Sequence, residues 1–108
     1  MVLMVGEPLE DAPGIESLYW DYRPGGNVEH VAKHGVTPAD VAEVLSLVPR
    51  YFQNARDPGS IVVLGPNADG RYLAAVLDPT FVPSEWTVAT ANWMGRRRAE
   101  RLYRRGIK

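Results

Sequence analysis

The sequence predicts an α+β fold: a small, mostly antiparallel sheet packed by helices, in the order β-α-α-β-β-β-α. Three observations predict it. Two apolar stripes with helical spacing follow one another between residues 27 and 49. Three β-rich runs then come in succession between residues 60 and 92, and an arginine-rich helical pattern closes the chain. Helices and strands segregate along the sequence instead of alternating, which separates α+β from βαβ architectures.

The elements follow in order. Residues 6–14 contain Pro8, Pro13 and three acids and read as an extended or flexible acidic lead-in. Residues 1–14 are therefore set apart from a single domain over 15–108. Ile15–Asp21, ending Leu18-Tyr19-Trp20-Asp21, is the first expected strand, and Pro24-Gly25-Gly26 breaks it. Asn27 is positioned to cap a short helix whose stripe is Val28, Val31, Ala32 and Gly35, with Gly35 as terminator. Thr37 caps a second helix, with Pro38 at its first position and Asp40 three residues after the cap. Its stripe is Val41, Val44, Leu45 and Val48, and Pro49 closes it.

Residues 50–59 read as irregular and polar. Ser60–Gly65 is a β-rich run, and Asp69-Gly70 marks a hairpin turn. Arg71–Asp78 is apolar on both faces, Tyr72/Ala74/Val76 and Leu73/Ala75/Leu77, which places it in the middle of the sheet. Glu85–Asn92 is the last expected strand. Gly95–Arg105 is the last helix, with Ala99, Leu102 and Tyr103 inward and the arginines outward.

Composition narrows the functional classes. The chain has 108 residues, 45% apolar and 23% charged, which suits one modest core. It has no cysteine, so disulfide frameworks, thiolate metal sites and a cysteine nucleophile are excluded. No apolar run approaches the ~18 residues of a membrane span, and no secretory leader is recognisable. Net charge is −1, but it is lopsided. Residues 1–21 carry five acids and no base, whereas residues 96–108 carry seven bases and one acid. A cationic end of this kind meets phosphates or an acidic protein surface.

Most catalytic signatures are missing. His30-Val31-Ala32-Lys33-His34 has the histidine spacing of the helical zinc motif, but Val31 stands where that motif needs glutamate, and no third ligand is evident. No metal or other cofactor is expected. There is no phosphate-binding glycine loop and no G-x-S-x-G elbow. What remains is a set of cations, imidazoles and aromatics: Lys33, His34, Arg50, Arg71, Tyr72, Trp93 and the arginine helix with Arg97 and Arg101. RNA cleavage by the neighbouring 2′-hydroxyl uses such groups. It needs a base, an acid and cations for the charge on phosphorus, while aromatics stack on unpaired bases.

Trp20-Asp21, Asn27 and Lys33-His34-Gly35-Val36-Thr37 together resemble the opening signature of the BrnT family, toxins of bacterial type II toxin–antitoxin pairs with a RelE-like ribonuclease fold. Asp69-Gly70-Arg71-Tyr72-Leu73 is similar to that family's G-R-x-L, Thr87–Asn92 to its strand ending near S-A-R, and Arg98, Glu100-Arg101 and Tyr103 to the E-R…Y of its last helix. The similarity spans about residues 18–105. It implies a cytoplasmic, metal-independent ribonuclease that inhibits translation and is neutralised by a DNA-binding antitoxin of ribbon-helix-helix type. It assigns Lys33, His34 and Arg71 to catalysis; from the residue types themselves, Arg50, Tyr72, Asn92, Trp93, Arg97 and Arg101 are the candidates for holding the RNA.

Two departures stand out. Asn92 replaces the arginine that ends the S-A-R strand, and only Arg23 remains of the basic stretch after Trp20-Asp21. Losing one preorganised contact to a developing charge typically costs about 2.7–4 kcal/mol of transition-state stabilisation. Two alternatives therefore stay open: a catalytically inactive toxin-fold module that binds RNA or protein, and a stand-alone domain without an antitoxin. Homodimerisation is compatible with each.

Overall fold

Six strands make one sheet in the order β1-β3-β4-β5-β6-β2. The structure is a computed structural model and describes residues 4–106. Met1–Leu3 of the expected lead-in and Lys108 of the cationic end lie outside the described residues. The elements are β1 (Val5–Pro8), β2 (Ser17–Tyr19), α1 (Asn27–Ala32), α2 (Pro38–Ser46), β3 (Arg50–Asn54), β4 (Ile61–Pro66), β5 (Tyr72–Pro79), β6 (Glu85–Trp93) and α3 (Arg96–Arg105). All pairings are antiparallel except β2 with β6, which is parallel. The α+β class and the central place of β5 follow the sequence reading.

Two strands depart from the expected order. Residues 50–54, read as irregular, form β3 and pair with both β1 and β4. Only Tyr51 and Phe52 are apolar there, and they face opposite sides of the sheet, so no period-2 run is visible. Phe52 is nonetheless fully buried. Val5–Pro8 forms the edge strand β1 within the segment read as a lead-in. Its glycine and proline hide it from propensity rules, and an edge is where a strand proline is tolerated. Residues 9–16 then cross from the β1 edge to the β2 edge. Leu9 N–H donates to the Tyr51 carbonyl (2.9 Å), and Trp86 Nε1 donates to the Gly14 carbonyl (2.9 Å).

The sheet separates two apolar layers. On one face α1, α2 and the turn between them contribute Val31, Val36, Val41 and Val44 against Ile61, Val63, Leu73, Leu77, Val88 and Ala91. On the other face α3 contributes Ala99, Leu102 and Tyr103 against Phe52, Val62, Leu64, Ala74 and Val76. The register of β5 and β6 shifts between Val76 and Leu77: Val76 lies opposite Thr90, while Leu77 lies opposite Val88. Ala89 is the extra residue of this bulge. It lets Val88 and Thr90 point to opposite faces of the sheet.

Local chemistry sets the helix ends. The capping box on α2 is present as expected, with Thr37 Oγ1 accepting from Asp40 N–H and Asp40 accepting from Thr37 N–H. The cap of α1 is not. Gly26 holds the N-cap position, and Asn27 is the first helical residue. Asn27 instead ties three elements together. Its Oδ1 accepts from Asp21 N–H (2.7 Å), and its Nδ2 donates to the carbonyls of Tyr19 and Val88 and to Thr87 Oγ1. Its long-range partners in β6 are what the sequence alone conceals.

Candidate nucleic-acid interface

The turn between α1 and α2 starts the site. Gly35 has φ +73°, a conformation that glycine adopts without strain. That reversal lets Val36 N–H reach the Val31 carbonyl and buries Val36 in the core. Lys33 and His34 are thereby left on the outside, both exposed. Lys33-His34-Gly35-Val36 thus divides by physics: two polar residues outward, one left-handed hinge, one core plug. The rings of His30 and His34 meet edge to face at 5.4 Å.

Trp93 ends β6 on the face that α1 and α2 cover. Its Nε1–H donates to the Gly35 carbonyl (3.0 Å), so the indole is fastened to the turn that presents Lys33 and His34. Trp93 lies opposite Leu73 in the ladder. Arg71, two residues before Leu73, projects to the same side. Its guanidinium carbon lies 4.2 Å from the centre of the Trp93 ring. The backbone of Arg71 is held by the β4–β5 turn, donating to Asn67 Oδ1 (2.9 Å) and accepting from Asn67 N–H (2.8 Å). An exposed cation over an indole contributes about 0.5–1 kcal/mol. Of the sequence-derived residues, Arg71 and Trp93 are thus in contact, and Lys33 and His34 sit on the turn whose Gly35 carbonyl the indole binds.

The other five lie elsewhere. Tyr72, next to Arg71, faces the α3 side and meets Tyr103 edge-on at 5.7 Å. Arg50 also packs on Tyr103, its guanidinium 4.9 Å from the ring centre, and its Nε is buried without a hydrogen-bond partner. Tyr103 in turn donates from its hydroxyl to the Val48 carbonyl (2.6 Å). These contacts make Arg50 and Tyr72 part of how α3 seats on the sheet. Arg97 and Arg101 are exposed on α3.

Asn92 precedes Trp93, so strand alternation turns it to the opposite face. There it lines a pocket of about 250 Å³ with Thr90, Met94, Gly95 and Arg98, over a floor of Ala74 and Val76. Sequence reasoning did not assemble this pocket. Its one legible signal was three consecutive arginines at the start of a helix, where the helix dipole disfavours cations.

Electrostatics along α3 are partly internal. Glu100 accepts from Arg96 Nε (2.8 Å) and lies 3.8 Å from Arg104. The hydrogen bond from Arg96 holds the Glu100 carboxyl below the usual glutamate range and raises Arg96. At the other end of the molecule the Arg23 side chain does the same to Asp21. Among the described residues no three His, Asp or Glu side chains group as metal ligands, and no helix is long and apolar enough to cross a membrane. No protein-family profile, curated protein or solved structure matches the chain.

Proposed function

We propose that this chain is a BrnT-like toxin domain that binds single-stranded RNA at the Arg71–Trp93 patch and cleaves it. The observation that carries the reading is the shared anchorage of that patch. One indole supports the Arg71 guanidinium on its ring and is hydrogen-bonded to the turn bearing Lys33 and His34. The two-sided packing of the sheet, with α1 and α2 on one face and α3 on the other, is compatible with the RelE-type arrangement that the resemblance implies.

In this reading an unpaired base stacks on the Arg71–Trp93 pair, since guanidinium planes and indoles both accept bases. His34 takes the proton from the 2′-hydroxyl. The O2′–P bond forms as the P–O5′ bond breaks, and Lys33 gives a proton to the leaving oxygen. The products are a 2′,3′-cyclic phosphate and a 5′-hydroxyl, with no co-reactant. Arg71 faces the charge that builds on phosphorus. A ribbon-helix-helix antitoxin neutralises the domain.

A second reading rests on Asn92. A neutral amide stands where the resemblance implies an arginine, and it faces away from the patch. Asparagine supplies no fixed positive charge to a phosphorane. In that reading the domain binds RNA without cleaving it.

Induced expression of the chain in a bacterial host, with growth and total RNA followed together, separates the two. Growth arrest with RNA loss, relieved by Arg71→Ala, supports the nuclease. Intact RNA and normal growth with folded protein support the binding module, and Asn92→Arg then tests whether one charge is what it lacks. Undiminished toxicity in Lys33→Ala, His34→Ala and Arg71→Ala would overturn the site assignment.

A further inference from the structure

We propose that the pocket at the start of α3 is a binding site for a phosphate group, distinct from the Arg71–Trp93 patch and on the other face of the sheet. Three independent features converge there. The first is the helix terminus. Gly95 is the N-cap of the ten-residue α3 and has no side chain with which to cap the first turn. Helix N-termini present unsatisfied N–H groups and the positive end of the dipole, a combination that favours anions.

The second is charge that runs against the helix. The first turn of α3 holds no acid and begins Arg96-Arg97-Arg98. Three cations at the positive end of a helix are mutually unfavourable and oppose the dipole. Glu100 offsets Arg96 from one turn further on. Arg98 lines the pocket in which an anion at Gly95 would sit.

The third is an unpartnered buried hydroxyl. Thr90 lines the same pocket, is 5% exposed, and its Oγ1 has no hydrogen-bond partner. A buried hydroxyl left without a partner is destabilising, so its presence calls for a partner. Asn92 adds an amide N–H₂ to the same lining. The bulge at Ala89 is what sets Thr90, and two residues later Asn92, on this face.

These groups are hydrogen-bond donors arriving from different directions: side chains from the strand, main-chain N–H groups from the helix, and a guanidinium. No lining residue carries a carboxylate. A tetrahedral oxyanion with several acceptor oxygens fits that set, and a cation does not. The same phosphate chemistry is offered by free phosphate and by RNA. Trp93 borders both this pocket and the Arg71 patch, so a single strand turning around the end of β6 reaches both. The phosphate site does not depend on RNA cleavage.

The test is a two-dimensional amide NMR titration of the full chain with inorganic phosphate, against chloride at matched ionic strength. The expected result is saturable shifts of the Gly95–Arg98 amides with phosphate alone. A Cβ at Gly95 meets nothing within 4 Å, so the backbone there accepts a side chain and Gly95→Asp offers a capping carboxylate. That variant is expected to melt higher than the parent chain and to lose the phosphate response. Thr90→Val keeps the shape of the side chain, removes the hydroxyl, and is expected to weaken phosphate at least five-fold while remaining folded.

Shifts that chloride reproduces, or that survive unchanged in Gly95→Asp, would overturn the proposal. Oligouridine with a 5′-phosphate and with a 5′-hydroxyl then identifies the source. Shifts with the first alone indicate a terminal phosphate, shifts with both an internal phosphodiester, and shifts with neither free phosphate. Arg71→Ala should weaken RNA binding at the patch and leave the inorganic phosphate shifts intact, so the two assignments fail separately.

Discussion

The guanidinium of Arg71 lies 4.2 Å from the centre of the Trp93 ring, and that ring's Nε1–H is bonded to the carbonyl of Gly35. Trp93 ends β6 and Arg71 immediately precedes the neighbouring strand β5, while the carbonyl belongs to a turn nearly sixty residues upstream. The contact joins the start of β5, the end of β6 and the α1–α2 turn. It fastens the turn that carries Lys33 and His34 to the strand end on which Arg71 packs.

Replacing Arg71 by alanine should therefore weaken single-stranded RNA binding and flatten its salt dependence. Loss of one phosphate contact reduces the salt slope by about one. Titrations of the parent chain and the Arg71→Ala variant with a fluorescent oligonucleotide at several salt concentrations measure both. An unchanged slope would mean that Arg71 serves only to pack on Trp93.

Gly35→Ala tests the turn. A side chain there meets nothing within 4 Å, so the cost is confined to the backbone, at φ +73°. A left-handed non-glycine residue costs about 1–2 kcal/mol. Thermal or urea melting followed by circular dichroism should show a loss of that size. A neutral result would mean that the turn relaxes to another conformation.

Asn27→Ala should be more damaging than a lost helix cap. The side chain accepts from one backbone N–H and donates to groups in β2 and β6. Removing it leaves partly buried polar groups unpaired, at about 1–3 kcal/mol each. Denaturant unfolding measures the change. A loss well under 1 kcal/mol would show that water replaces the amide at each contact.

Phe52→Ala tests the strand that periodicity misses. Phe52 is fully buried beneath α3. Truncating a buried phenylalanine typically costs about 3–5 kcal/mol. An irregular surface segment at residues 50–54 would lose far less, so the unfolding free energy separates the two arrangements.

The Arg96–Glu100 pair gives a signed pH dependence. The Arg96 hydrogen bond lowers the folded-state carboxyl below its ordinary value of 4.5. The pair's contribution is therefore complete above that value and is lost as pH falls through the lower folded value. Glu100→Gln should flatten the acid limb of the stability curve between pH 4.5 and the folded value, and leave its slope near neutrality unchanged. The pair is exposed, so the effect is small and screened by salt.

Much of the fold is legible in the residues. The Thr37-Pro38-Asp40 start of α2, the two-faced apolar run of β5 and the Asp69-Gly70 turn each carry a local signal with one strong interpretation. The strands β1 and β3 carry none, because Gly6, Pro8, Arg50 and Gln53 are poor strand indicators taken singly. Their pairing is stabilised by neighbours far away in sequence. The site divides in the same way. Lys33-His34-Gly35-Val36 is readable as a turn that presents two polar side chains, and Arg71 as a residue at a strand start.

The sequence by itself determined the class, the central strand, the capped start of α2 and the lopsided charge, because these depend on spacing over a few residues. Only the tertiary structure decided which candidates share a face. Asn92 and Trp93 are adjacent in the chain yet lie on opposite sides of the sheet, and so do Arg71 and Tyr72. A one-residue bulge at Ala89 fixes the face that Thr90 and Asn92 occupy. Because strand side chains alternate with a period of two, a single inserted residue reverses every assignment beyond it. Such a reversal is set by pairing with a neighbouring strand and leaves no mark in local composition.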